Sequence, residues 1–119
     1  MRFEDMPAWQ AARKLTKQIY ALTATASFDG DLGLGEQLRR AATSSMKSIA
    51  AGPGCATQRA FAQCLYDATQ SVAEVQSLLY VALDLGHIGT EAFRTQYEQA
   101  ARVAALVGDL EPSLAQRNG

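Results

Sequence analysis

Phe61, Leu65, Ala68, Val72, Val75, Leu79 and Ala82 follow one another at alternating steps of four and three. That spacing keeps seven apolar side chains on one stripe of an α-helix and scatters them on both faces of a strand. The stripe persists from about Gln58 to Leu85, a helix on the order of 40 Å long at ~1.5 Å per residue. Gly52-Pro53-Gly54 precedes it and Gly86 follows it. A segment this long, punctuated at both ends, dictates the architecture. Its neighbours must be helices able to cover it, and no part of the chain shows a period of two.

Three other segments meet that requirement. The first helix is predicted over about 6–25, with Pro7 in the first turn, where a missing N–H costs nothing. Trp9, Ala12, Leu15, Ile19 and Leu22 mark its inner face, and FDGDLGLG follows as a loop. The second spans about 36–51, with a narrow stripe of Leu34, Leu38, Ala41, Ala42, Ser45 and Ile49. Gly52 occupies the place of a left-handed cap, and Pro53 forbids continuation. The fourth covers about 90–111, with Thr90 as its cap, and with Phe93, Tyr97, Ala100, Ala101, Ala104, Val107 and Leu110 inward. Pro112 ends it, and residues 116–119 read as a tail. Three short connections between four amphipathic helices imply an all-α, antiparallel up-down-up-down four-helix bundle, a single domain over 1–119. Trp9, Leu38, Leu65, Val72, Leu79 and Tyr97 are expected in or against its core.

The third helix carries a second apolar set at Cys64, Ser71, Leu78 and Leu85. Two such stripes do not both point into one small bundle, so an interface between copies is expected. Charge adds to this. The net charge is -1, with a pI near 5.7, whereas a domain that binds nucleic acid by bulk electrostatics has a pI above roughly 9. Residues 1–60 nevertheless hold eight Lys or Arg against five acids, and residues 61–119 hold three against seven. A basic half and an acidic half suit either a polyanion on one face or a head-to-tail contact that closes a ring.

No catalytic constellation can be assembled, so the chain reads as a non-enzyme without cofactor. His87, the single histidine, has no sequence-local carboxylate or thiol partner and reads as a loop residue. With Cys55 and Cys64 as the only thiols, a zinc site is not expected. The thiols read as idle and reduced. GLG at 33–35 and GPG at 52–54 lack the Gly-Lys-Ser/Thr of a phosphate loop. The N-terminus has no apolar run of a secretory signal, and no stretch approaches a membrane span. The expected location is the cytoplasm.

The basic residues support two readings. Glu36 and Arg40 stand four apart in the favoured acid-first order, a local pair worth roughly 0.3–0.5 kcal/mol, and Arg39 can reach for Asp67 and Glu74 on the third helix. Alternatively, Arg40 and Lys47, seven apart, share a face that touches phosphate, with Arg13 and Lys17 as a matching pair on the first helix and Arg39 and Arg59 beside them.

FEDMPAWQAARKL, LGLGEQLRRAATSSMKSIAAGPG and FAQCLYDATQSVAEVQSLLYVALDLGHI together resemble the four-helix-bundle family of 23S rRNA intervening-sequence proteins, over about residues 3–108. The anchors are Phe3-Glu4-Asp5, Trp9, Gln37 to Ala41, Ile49-Ala50, Gly52, Glu74 and Ala82 to Gly86. The resemblance implies a small bacterial cytosolic bundle that forms ring-shaped homopentamers. A related branch, the accessory variability proteins of diversity-generating retroelements, binds nucleic acid and a reverse transcriptase. Binding of RNA, or of RNA and DNA, is therefore the implied function, with no enzymatic activity. The chain departs from the family's usual VSIPSNIAEG run, with Met46, Ser48 and Ala51 in place of its proline, asparagine and glutamate. Only Arg59 remains of the basic segment that often follows. These departures favour an alternative, an oligomeric scaffold that binds protein and has lost affinity for nucleic acid.

Overall fold

Buried apolar side chains at helical spacing recur through the computed structural model, which describes residues 2–110. Four helices result: α1 (Pro7–Thr23), α2 (Leu32–Ala51), α3 (Gln58–Asp84) and α4 (Thr90–Gly108). No strand occurs among the described residues. Each helix packs on its neighbours in sequence and α4 closes on α1, giving an all-α, antiparallel up-down-up-down bundle 49 Å long and 20 Å across. Pairings along its length fix the directions. Gly35 meets Thr23 where α2 starts and α1 ends, and Gln99 of α4 donates to the Ala11 carbonyl of α1 at 2.9 Å.

The α3 stripe forms the spine. Leu65, Ala68, Val72, Val75, Leu79 and Ala82 are all buried, with Phe61 packed against the core at the near end. All six expected α2 positions, Leu34, Leu38, Ala41, Ala42, Ser45 and Ile49, are buried too. Ser45 answers its own burial by donating to the Ala42 carbonyl at 2.7 Å, which removes the cost of an unpaired interior hydroxyl. Trp9 and Tyr97 lie half-buried against this core.

The helix ends differ from expectation in three places. Helix α2 begins at Leu32, not near 36, because the Asp31 carboxylate accepts from the Leu34 N–H at 3.4 Å and caps the turn. That cap carries Gly33 and Gly35 into the helix. Gly52 is right-handed (φ -57°, ψ -54°), not left-handed. It is needed for space, since a Cβ there would run into the Phe61 ring. The left-handed glycine is Gly86, at φ +77°. Here the Gly86 N–H donates to Leu83 O at 3.0 Å and the His87 N–H to Ala82 O at 2.9 Å, the paired bonds of a Schellman ending. Finally, Gly89, not Thr90, caps α4, and Thr90 is its first residue. Pro112 and the segment 116–119 lie outside the described residues.

The inner face of α4 holds Phe93, Tyr97, Ala100, Ala104, Val107 and Leu110 in or against the core as expected, but not Ala101. Gln96, Ala100, Val103 and Val107 are buried, whereas Ala101 is exposed. Positions 96, 100, 103 and 107 form one stripe at steps of four, three and four, and Ala101 falls a full 100° step beyond Ala100. The second apolar set on α3 is likewise altered. Cys64, Ser71 and Leu78 are half-buried, Leu78 against the core. Uncovered surface is carried by Tyr66 at 56% exposure, Tyr80 at 50%, Val81 at 41% and Leu85 at 60%. Tyr80 packs on Phe93 and Tyr97 of α4, ring centres 4.7 and 5.8 Å away, so an aromatic face runs across α3 and α4.

One end of the bundle is tied by long-range polar contacts. His87 Nε2–H donates to Asp31 Oδ2 at 3.1 Å, and Ser27 donates to the His87 carbonyl at 2.7 Å. The imidazole also lies 5.2 Å from the buried Phe28 ring. His87 therefore has a carboxylate partner, one placed 56 residues away in sequence.

Leu79 is fully buried in the spine, so Leu79→Ala is expected to lower unfolding free energy by about 2–5 kcal/mol in a urea titration. Ala101→Ser on the exposed side of α4 is expected to change it by less than about 0.5 kcal/mol. Equal effects would mean that the inner faces are misplaced.

Candidate nucleic-acid interface

Residues 36, 40, 43, 44 and 47 of α2 fall on one strip of helix, and α1 places Tyr20 beside it. With Arg39 they line an open cleft of about 240 Å³. That is smaller than the ~300–1,000 Å³ pockets that enclose small molecules. Two hydroxyls, Thr43 and Ser44, and three cations, Arg39, Arg40 and Lys47, meet there with one acid, Glu36.

Arg39 is the best-held of the cations. Its Nη1 donates to Thr23 Oγ1 at 3.0 Å, and its guanidinium lies 5.8 Å from the centre of the Tyr20 ring. Thr23 in turn donates to the Ile19 carbonyl at 2.8 Å. Gly35 leaves room for this reach, since a Cβ there would stand 3.1 Å from Arg39 Nη1. Arg39 thus lies on the side of α2 that faces α1. The expected reach to Asp67 and Glu74 across the α3 side is not made, because the Thr23 hydroxyl and Tyr20 ring lie closer. Asp67 instead accepts from Gln63 at 3.0 Å.

Arg40 pairs with Glu36 at 2.8 Å, as the spacing predicts, with side chains 68% and 64% exposed. Exposure to water leaves such a pair worth under about 1 kcal/mol, so the guanidinium can leave Glu36 for a phosphate. Lys47 is exposed at the far end of the cleft.

On α1, Arg13, Lys17 and Tyr20 are spaced i, i+4, i+7 and share one strip, so the exposed Arg13 and Lys17 extend the line from Tyr20. Arg13 lies 5.8 Å from the Trp9 ring centre, and Trp9 meets Phe3 edge-on at 5.1 Å. The structure therefore gathers Arg13, Lys17, Arg39, Arg40 and Lys47 along the α1–α2 side. Arg59 stands apart, exposed in the first turn of α3 and outside the cleft lining.

Sequence reasoning passed over Tyr20, Thr43 and Ser44. Tyr20 had a visible signal in its helical spacing from Arg13 and Lys17. The hydroxyls had none, because the placement of α1 is what makes them part of a cleft. Among the described residues, no three His, Cys, Asp or Glu side chains gather as metal ligands.

Fold and cleft together define a class, a four-helix bundle with a basic, hydroxyl-lined groove between its first two helices. The family model described as 23S rRNA-intervening sequence protein matches residues 4–109. The chain belongs to that family. No curated protein matches it.

Arg39 and Arg40 differ in what they hold. Arg39→Ala removes a buried hydroxyl's partner and ring contact, and is expected to cost about 1–2 kcal/mol of stability. Arg40→Ala is expected to stay within about 0.5 kcal/mol. Thermal unfolding of the two variants side by side checks the ordering.

Proposed function

We propose that this protein is a non-enzymatic accessory protein that binds RNA, or RNA and DNA, along its α1–α2 side and works as a closed homo-oligomer. One observation carries the reading: Arg39, Arg40 and Lys47 converge on the same cleft as Tyr20 and two hydroxyls. Cations in that arrangement neutralise consecutive phosphates, the Ser44 hydroxyl can donate to a phosphate oxygen while that of Thr43 is held by the Arg39 carbonyl at 2.7 Å, and an exposed aromatic ring offers a surface for a base. The family name, with its reference to an rRNA intervening sequence, agrees with this ligand class.

The net charge of -1 requires that affinity come from local rather than overall charge. Repetition of the patch answers that requirement, because linked weak sites bind far more tightly than one. The uncovered Tyr66, Tyr80 and Val81 of α3, with Leu85 at its C-terminal cap, supply an apolar face for self-association. Five copies is the number that family resemblance favours. The same aromatic face supports a second reading, an oligomeric scaffold that binds protein alone.

Salt titration separates the two readings. With about four phosphate contacts to a single strand, log affinity is expected to fall against log salt with a slope near -3. Lys47→Glu, remote from any structural partner, should weaken binding and flatten that slope by about 0.7 while leaving the unfolding midpoint unchanged. Glu36→Gln, which frees Arg40, should strengthen binding. Micromolar protein that shifts neither RNA nor duplex DNA at low salt would leave only the scaffold. Light scattering at micromolar concentration tests the assembly: a mass near 12.8 kDa would mean a monomer and remove the avidity argument.

A further inference from the structure

The chain's two cysteines meet at the corner between α2 and α3, with Cys55 Sγ 3.6 Å from Cys64 Sγ. We propose that Cys55 and Cys64 are a reversible dithiol–disulfide couple that reacts with small disulfides such as oxidised glutathione and staples this corner when closed.

Several features of the corner hold the pair in place. Gly52 presses on the Phe61 ring. The Cys55 N–H donates to Gly52 O at 3.0 Å, and the Thr57 hydroxyl caps α3 by accepting from the Ala60 N–H at 3.0 Å. These contacts bring residue 55 back over the second turn of α3, where Cys64 stands. Both cysteines are half-buried, so a small reagent can reach them while a second protein molecule is hindered. Closing to the ~2.05 Å of a disulfide needs side-chain rotation, against only one weak restraint, the Cys55 thiol's bond to Ala51 O at 3.3 Å.

The exchange balances in two steps. The Cys55 thiolate attacks one sulfur of the small disulfide, forming a mixed disulfide and expelling one thiolate, which takes up the proton that Cys55 gave up. Cys64 then loses its proton and attacks the Cys55 sulfur, expelling the second small thiol. Two protein thiols are oxidised by two electrons, and one small disulfide is reduced to two thiols. Burial, then the neighbouring Cys55, pushes the Cys64 thiol above its ordinary range. Cys64 therefore suits the second step, in which proximity replaces thiolate abundance. A closed ring over residues 55–64 would enclose the α3 cap and Arg59, and its short loop and partial exposure keep it open to reduction.

The test is to equilibrate the full-length protein with oxidised glutathione, alkylate, and weigh it. Wild type is expected to lose both thiols together, with a mass about 2 Da lower and no covalent dimer on a non-reducing gel. Cys64→Ser and Cys55→Ser should instead each hold one glutathione. The oxidised wild type should melt roughly 5–10 °C higher than the reduced form, and dithiothreitol should reverse the change. Stable glutathione adducts on wild type, or intermolecular disulfides, would overturn the couple. An internal disulfide that leaves the melting point unchanged or lowers it would overturn the staple.

Discussion

Ala12, Ala42 and Ser45 are completely buried, and side chains this small let helix backbones come close. The rest of the molecule depends on that closeness. A wider gap would take Tyr20 away from Arg39, and Thr23 beyond reach of the guanidinium. The bundle is thus held on two principles. Along α3, large aliphatic side chains fill the interior and provide hydrophobic stabilisation. On α1 and α2, small residues such as Ala12, Ala42 and Ser45 fill the buried positions and leave room for neighbouring backbones. The candidate interface lies on the α1–α2 side, where polar groups from two helices meet.

That arrangement also explains how an acidic protein can present a basic surface. Three cations and one acid line the cleft, and the acid is held by Arg40 alone. Glu36 offsets the charge of Arg40 and leaves Arg39 and Lys47 to make the cleft basic. Arg39 behaves differently, since its ties to Thr23 and Tyr20 pre-orient it without consuming its charge. One cation is therefore positioned, one is exchangeable, and Lys47 is free to adapt.

How much of this was legible in the sequence depended on the range of the interaction. The α3 spine and all six inner positions of α2 were readable because periodicity alone determines a helix face. Ala101 was misplaced, since an alanine carries little information about which side it occupies and Val103 was the better marker. Asp31 as a cap was hidden by the glycines that follow it, which suggested a loop. His87–Asp31 and Cys55–Cys64 were invisible for another reason. Each depends on a chain reversal whose geometry periodicity does not describe. Of the basic residues singled out in the sequence, Arg39, Arg40 and Lys47 line the cleft while Arg13, Lys17 and Arg59 do not, a division that required the placement of α1.

The clasp of Ser27, Asp31 and His87 has a consequence for how the bundle holds together in time. It joins the α1–α2 loop to the α3–α4 loop across 56 to 60 residues, so it links two helical hairpins that could otherwise separate as units. Such a contact contributes only after most of the chain has been ordered, because the loop it closes is long. Its influence therefore falls on opening more than on assembly. The α2–α3 connection joins the hairpins covalently at the opposite end of the bundle, so the clasp closes the end at which they would otherwise part. The two hairpins are in effect hinged at the corner that carries the cysteines and latched at the end that carries His87.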